Sequence, residues 1–271
     1  MNRPSSQLEQ LSETARGAVY RRDWPTVAAC SRAILGKDGD SPEGHFLAGL
    51  SAKAAGRHGD AAAHFERALA QDGARYDAAI ELANEYVGQH RHAEAAALVR
   101  RCGERLSGSP AYLHMAGTVL ASAGLPEDAW PLFARAHALQ PGVDLFRSSL
   151  ATCSIFLGRI DEARAHYLAL LERLPDHQRY HYQLSRLGRA TDARHVEAME
   201  QVLARTRRLP KDNVFLYYAL GKELEDLERW DEAFDWFRRA GDAVTAVAEY
   251  DVGEDVDLID TIVSTCSASW V

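Results

Sequence analysis

Small residues recur every 34 positions in this chain, at Ala61, Ala95, Ala129 and Ala163. The neighbouring positions recur with them. Four residues later comes a large or branched apolar side chain (Phe65, Val99, Phe133, Tyr167), and seven later Ala68, Cys102, Ala136 or Leu170. Twelve residues before each alanine stands Gly49, Ala83, Gly117 or Ala151. Twelve after it comes a breaker in three copies, Gly73, Pro141 and Pro175, with Ser107 in the fourth. A fixed period of this length belongs to stacked repeats, and 34 residues makes one helix–turn–helix unit. One such unit cannot hide its apolar side alone, so an all-α solenoid of antiparallel helix pairs is expected, offering a long surface rather than a central pocket.

Four units tile without insertion: 42–75, 76–109, 110–143 and 144–177. Fourteen residues of helical apolar spacing open each unit, and the turn falls at the fifteenth, Gly56, His90, Gly124 or Gly158. Glycine ends a helix there by adopting the left-handed conformation without a Cβ clash. An acid just before the second helix (Asp60, Glu94, Asp128, Glu162) suits the positive end of the helix dipole. A fifth clear unit, 214–247, places Gly221, Ala233, Phe237 and Ala240 in register. Residues 7–41 read as a degenerate first unit, and 178–213 as a degenerate pair with Val196, Met199 and Leu203 at helical spacing and Pro210 at its end. The array thus covers 1–248 and makes about six to seven helix pairs. Residues 249–271 form an acidic C-terminal segment, a capping helix or a connector, with Val256, Ile259, Val263 and Cys266 as an apolar stripe. The small residues let paired helices approach closely, and the bulky residue four places on is expected to fill the gap against the next unit.

Charge narrows the partners. The net charge is −8, but seven acids and no lysine or arginine lie between Gly241 and Val271; subtracting them leaves the first 240 residues near −1. A basic stripe of the kind that binds nucleic acid is not visible, so neither RNA nor DNA is the expected partner. No apolar run reaches membrane-spanning or signal-peptide length, which makes a cytoplasmic location the expectation. Cys30, Cys102, Cys153 and Cys266 lie at least 51 residues apart, a spacing that suits free thiols in a reducing compartment.

The set Gly49–Ala61–Phe65–Ala68, and its copy Gly117–Ala129–Phe133–Ala136–Pro141, resembles the tetratricopeptide repeat. The resemblance implies a right-handed superhelical solenoid and a role in holding proteins or peptides, most often without catalysis. A narrower resemblance lies further on. Phe215-Leu216-Tyr217-Tyr218-Ala219-Leu220-Gly221-Lys222, then Trp230-Asp231-Glu232-Ala233-Phe234, then the acids around Tyr250-Asp251, are similar to the end of the repeat region in bacterial proteins that join tetratricopeptide repeats to a sulfotransferase domain. That resemblance implies an N-terminal repeat region that recruits substrate or mediates assembly. Its catalytic half, opening with a strand and a loop that holds the 5′-phosphosulfate of the sulfate donor, would lie downstream of Val271. The alternative is a helper region that completes the active site of that domain.

No glycine-rich phosphate loop, and no serine on a glycine elbow, appears in the sequence, so no cofactor and no catalytic residue is expected. His90 with His92, and His177 with His181, are the only pairs at metal-ligand spacing, short of the three or four ligands a metal needs. No metal is expected. The groove remains. In the family it is lined by the second, fifth, ninth and twelfth places of each first helix: here Glu43, Phe46, Leu50 and Lys53; Asp77, Ile80, Asn84 and Val87; Ala111, His114, Thr118 and Ala121; Leu145, Ser148, Thr152 and Ile155. Repeat proteins of this kind that grip a C-terminal carboxylate use a lysine, asparagine and arginine set, of which only Asn84 is present, with Met115 at one of the other places. A mixed groove suits an extended or helical peptide. Lys53, Asn84, His114, Thr118, Ser148 and Thr152 are the candidate contacts, and self-association through an uncapped end, with Trp270 as an anchor, is a further expectation.

Overall fold

The computed structural model describes residues 7–248 and 250–266, so Trp270 lies outside the described residues. Among the described residues there are fifteen α-helices and no strand. They are α1 (Gln7–Tyr20), α2 (Trp24–Leu35), α3 (Pro42–Ala54), α4 (His58–Gln71), α5 (Tyr76–Gly88), α6 (His92–Cys102), α7 (Pro110–Ser122), α8 (Pro126–Leu139), α9 (Asp144–Phe156), α10 (Ile160–Arg173), α11 (Gln178–Ser185), α12 (Arg194–Thr206), α13 (Val214–Asp226), α14 (Trp230–Thr245) and α15 (Val252–Thr265). Short 3₁₀ turns follow α6 (Gly103–Gly108) and α12 (Pro210–Asp212). None of these helices is long and apolar enough to cross a membrane.

The turn at the fifteenth place is one device used six times. Arg22, Gly56, His90, Gly124, Gly158 and Glu228 all have positive φ, between 58° and 76°. Each N–H donates to the carbonyl three residues back, as in Gly56 to Lys53 (3.0 Å) and Glu228 to Glu225 (3.0 Å). The next N–H donates five residues back, as in Arg57 to Ala52 (3.0 Å) and Arg229 to Leu224 (2.9 Å). Together the two bonds close a Schellman motif and satisfy helix-end carbonyls. Glycine is favoured at this place but not required, since Arg22, His90 and Glu228 take the same left-handed conformation. The first turn falls 34 residues before Gly56, so the first unit is in register with the rest.

The acids expected just before each second helix sit instead as its third residue, inside the first turn. An arginine precedes four of these helices and reaches forward to the acid: Arg57–Asp60 (3.2 Å), Arg91–Glu94 (2.6 Å), Arg159–Glu162 (3.8 Å) and Arg229–Glu232 (2.5 Å). Such exposed pairs are screened by water and salt. They help fix the helix start and contribute little to stability.

Packing at the crossing of paired helices is tighter than the spacing alone implies. A β-carbon at Gly49 would come within 2.5 Å of the Phe65 ring; at Gly117, within 2.8 Å of Phe133; at Gly221, within 2.6 Å of Phe237. Where the unit carries Ala83 in place of glycine, the partner position holds the smaller Val99. Phe65, Phe133 and Phe237 therefore fill the space inside their own hairpins. Ala61, Ala95, Ala129 and Ala163 are each fully buried.

The array read from sequence as one span divides into two compact units between His166 and Tyr167, within α10. In the first, α3 and α4, α5 and α6, and α7 and α8 form hairpins, and α2, α4, α6 and α8 each pack on the helix that follows. Its core runs from Phe46 through Ile80, Leu113 and Phe133 to Leu150, with a smaller cluster of Ala15, Ala18, Val27, Cys30, Ile34 and Leu47 at its start. The second has its core on Val196, Met199, Val202, Leu216, Leu220 and Leu224. There the degenerate pair departs from the pattern. Its first helix, α11, has only 8 residues and packs on α13. Cys30, Cys102 and Cys153 are buried free thiols and Cys266 is an exposed one. The C-terminal helix α15 forms, but none of its residues is buried.

Adding a methyl group at Gly117 forces the Phe133 ring to move. Gly117→Ala is expected to cost about 1–3 kcal/mol of stability by urea unfolding. Gly117→Ala with Phe133→Leu should lose clearly less than the sum of the two single changes, because the pair shares one space.

Candidate functional site

The inner-face positions of the first two complete units are occupied with one another. Lys53 on α3 reaches across to α5, where its Nζ lies 2.7 Å from Glu81 and 3.7 Å from Glu85. Glu85, almost wholly buried, also meets Nδ1 of His58 at 2.8 Å. Arg75 ties Glu43 (2.7 Å) to Asp77 (2.6 Å) and lies over the Phe46 ring at 4.6 Å. Lys53 is therefore a clamp between units, its charge already neutralised. Asn84 stands exposed on α5.

The other four candidates converge in the third and fourth units. Thr118 on α7 and Ser148 and Thr152 on α9 line a cleft of about 370 Å3, together with Ala121, Phe133 and Phe156. His114 sits at its edge, half-buried, with Nε2 2.8 Å from Ser149 Oγ and its ring 5.5 Å from Phe133 and 5.1 Å from Phe146. Burial holds the His114 pKa below its ordinary value. The hydroxyls donate inward: Thr118 to the His114 carbonyl (3.0 Å), Ser148 to that of Leu145 (3.0 Å) and Thr152 to that of Ser148 (2.9 Å). With those protons committed, their oxygens can only accept from a ligand. The cleft thus offers acceptors and apolar surface, and none of its lining residues carries a formal charge.

Phe156, 73% exposed, was missed in the sequence reading. It occupies the thirteenth place of its unit, one beyond the four family positions, where the other units have Ala54, Gly88 and Ser122. Only its size at an otherwise small position signals it.

The histidine pairs resolve differently from their spacing. His177 stacks on Tyr180 at 3.6 Å, while His181 bonds elsewhere, so the i, i+4 pair does not face one point. His181 Nε2 lies 2.8 Å from the Pro175 carbonyl and its Nδ1 2.8 Å from His195 Nε2; His195 Nδ1 lies 2.5 Å from Glu223. This chain ends on a backbone carbonyl, which supplies no nucleophile, and it ties α11, α12 and α13 together. Among the described residues no three His, Cys, Asp or Glu side chains are grouped to hold a metal.

Residues 52–116 and 120–187 match the tetratricopeptide repeat family. The chain's fold is that of a tetratricopeptide-type solenoid. Among solved structures this repeat protein is similar to YrrB, a tetratricopeptide repeat protein described as having an unusual peptide-binding site. That match has 21% identity and TM-score 0.56, covering 71% of this chain and 98% of YrrB. A tetratricopeptide repeat protein from Parabacteroides merdae matches at 16% identity and TM-score 0.56, covering 93% of this chain and 97% of its own. TTC0263 of Thermus thermophilus matches at 18% identity and TM-score 0.50, covering 66% and 98%. At these identities the likeness shows the fold: an all-α solenoid of the tetratricopeptide type. None of the curated proteins compared matches the chain.

Burial lowers the pKa of His64, His114, His137, His166 and His181. Their unfolded value is about 6.5. The folded repeat protein binds fewer protons than the unfolded chain below that pH, so this stability is complete above about 6.5 and is lost as pH falls through the folded values. The urea midpoint should fall between about pH 7 and pH 5, and His114→Gln should make the fall shallower. Lys53→Met removes the cation that Glu81 and Glu85 share, leaving Glu85 with His58 alone, and should cost about 1–3 kcal/mol of stability, with no loss of ligand binding at the α7–α9 cleft.

Proposed function

We propose that this protein is a non-catalytic scaffold that holds an extended peptide segment of a protein partner in the α7–α9 cleft. One observation carries the reading: an apolar cleft with an exposed aromatic wall, Phe156, is rimmed by the Thr118 and Ser148 hydroxyls, which give their protons to backbone carbonyls and present oxygens suited to the N–H groups of a peptide backbone. The uncharged lining favours a neutral segment with a large apolar side chain over an acidic tail or a basic stretch. Tetratricopeptide arrays serve as binding surfaces for proteins and peptides, and the fold match to YrrB supports the same use here. Of the six candidate contacts, Thr118, Ser148 and Thr152 touch the ligand in this reading, His114 supports them through Ser149, Lys53 braces the array, and Asn84 lies on the approach. The setting is cytoplasmic in this reading, as the free thiols suggest.

The finer context rests on sequence alone. The pattern Phe215–Lys222 with Trp230–Phe234 supports a bacterial protein in which these repeats serve a sulfotransferase domain, by recruiting its substrate or by completing its active site. The coding sequence after codon 271 tests this. A strand followed by an Arg-Ser-Gly-Thr-Thr-type loop would support it, and any other continuation removes it.

Selection from a displayed random-peptide library, followed by calorimetric titration of the selected peptides, tests the cleft. Phe156→Ala should weaken binding about tenfold, as loss of an aromatic anchor does, and Thr118→Val with Thr152→Val should weaken it further. Selected peptides that bind both variants as well as the parent would place the site elsewhere.

A further inference from the structure

Two arginines of the second compact unit rest on aromatic rings with no acid beside them. Arg179 lies over the Phe215 ring, 4.9 Å from its centre, and Arg186 over the Tyr182 ring at 5.3 Å. Neither forms an ion pair among the described residues. Tyr182 on α11 and Phe215 on α13 meet with ring centres 5.5 Å apart, where the two helices pack on one another. The four side chains therefore make one strip across both helices, in the order Arg179, Phe215, Tyr182, Arg186. Tyr218 stands one helical turn along α13 from Phe215. Both arginines are exposed, and so in part are Phe215 (36%) and Tyr218 (37%).

Charge along this part of the chain is one-sided. From Gln178 to Thr191 there are three arginines and no acid. The third, Arg189, is held by Glu228 (3.0 Å), and Lys222 on α13 is held by Asp226 (2.5 Å). Those neighbouring cations are spent, whereas the charges of Arg179 and Arg186 stay open. A guanidinium stacked flat on a ring keeps its N–H edge free, and that edge takes a carboxylate through two parallel hydrogen bonds. The arrangement disfavours a nucleic acid, because the arginines already occupy ring faces on which bases would stack. Seven residues of helix separate the two arginines, about 10 Å. An extended chain covers that distance in about three residues.

We propose that this strip binds an extended acidic segment of a protein partner. Two carboxylates of the segment bond Arg179 and Arg186, and an apolar side chain between them rests against the exposed aromatic edges. The probe is a fluorescent peptide with a pair of glutamates about three residues apart around a phenylalanine, compared with a copy that has glutamine for glutamate. Titrated by anisotropy against the full chain, the glutamate peptide is expected to bind about tenfold or more tightly than its copy, and to weaken as salt is raised. Arg179→Gln with Arg186→Gln should abolish the difference between the peptides. Arg179→Lys with Arg186→Lys keeps the charge without the fork, and should weaken the glutamate peptide severalfold. Both pairs of positions are exposed, and circular dichroism checks that the variants fold. Equal binding of the two peptides, or a difference that survives the glutamine variants, overturns the proposal. An oligouridylate that binds more tightly than the glutamate peptide, and is lost in the same variants, overturns it in favour of RNA. Binding that emerges only with Asp257→Asn and Asp260→Asn overturns it in favour of the chain's own acidic segment as occupant. Loss of the glutamate peptide in Phe156→Ala overturns it in favour of the α7–α9 cleft. Peptides selected for that cleft should keep their affinity in the Arg179 and Arg186 variants, so failure at either site is read apart from the other.

Discussion

The structure depends on the fit of an aromatic ring against a residue with no side chain. Gly49 with Phe65, Gly117 with Phe133 and Gly221 with Phe237 bring paired helices so close that one methyl group would collide. Each hairpin still leaves an apolar side that only its neighbour covers. Helices of 11–14 residues such as α4 and α6 would be marginal alone in water. Each unit is stable because the next covers it, so the array is a chain of mutual dependence.

The same geometry decides where chemistry is available. First helices at neighbouring places either neutralise one another or leave a surface open. In the first two complete units Lys53, Glu81, Glu85, Glu43, Arg75 and Asp77 are joined across the helices, so their charges hold the array together. Burying a charge without a partner is costly, and a buried acid such as Glu85 fixes its basic partners in place. Between α7 and α9 no such pairs form, because the inner places hold histidine, serine and threonine. Small hydroxyl residues satisfy themselves on their own helix and leave space, which is how a cleft survives there.

Much of this architecture is legible in the sequence. The 34-residue period gives the helix pairs, and the turn at the fifteenth place follows from glycine at Gly56, Gly124 and Gly158. The reading faltered where a residue's role depends on its partner. His90, Arg22 and Glu228 take the glycine conformation because two backbone hydrogen bonds hold them in it, and nothing in their identity announces that. Lys53 has the same one-letter appearance whether it faces solvent or two carboxylates. His181 pairs with His195, 14 residues away, and not with His177 at helical spacing, since a stacked tyrosine turns His177 aside.

By itself the sequence determined the fold class, the length and register of the regular 34-residue helix pairs, and the uncharged character of the third and fourth inner faces. These are local: they follow from period, from small residues at fixed places and from composition along one helix. Tertiary structure alone decided which of the candidate side chains remain available. Thr118, Ser148 and Thr152 meet at one cleft while Lys53 is withdrawn into an ion pair. Availability is set by what stands opposite a side chain across a packed interface, and that neighbour is a residue some thirty positions away in the chain.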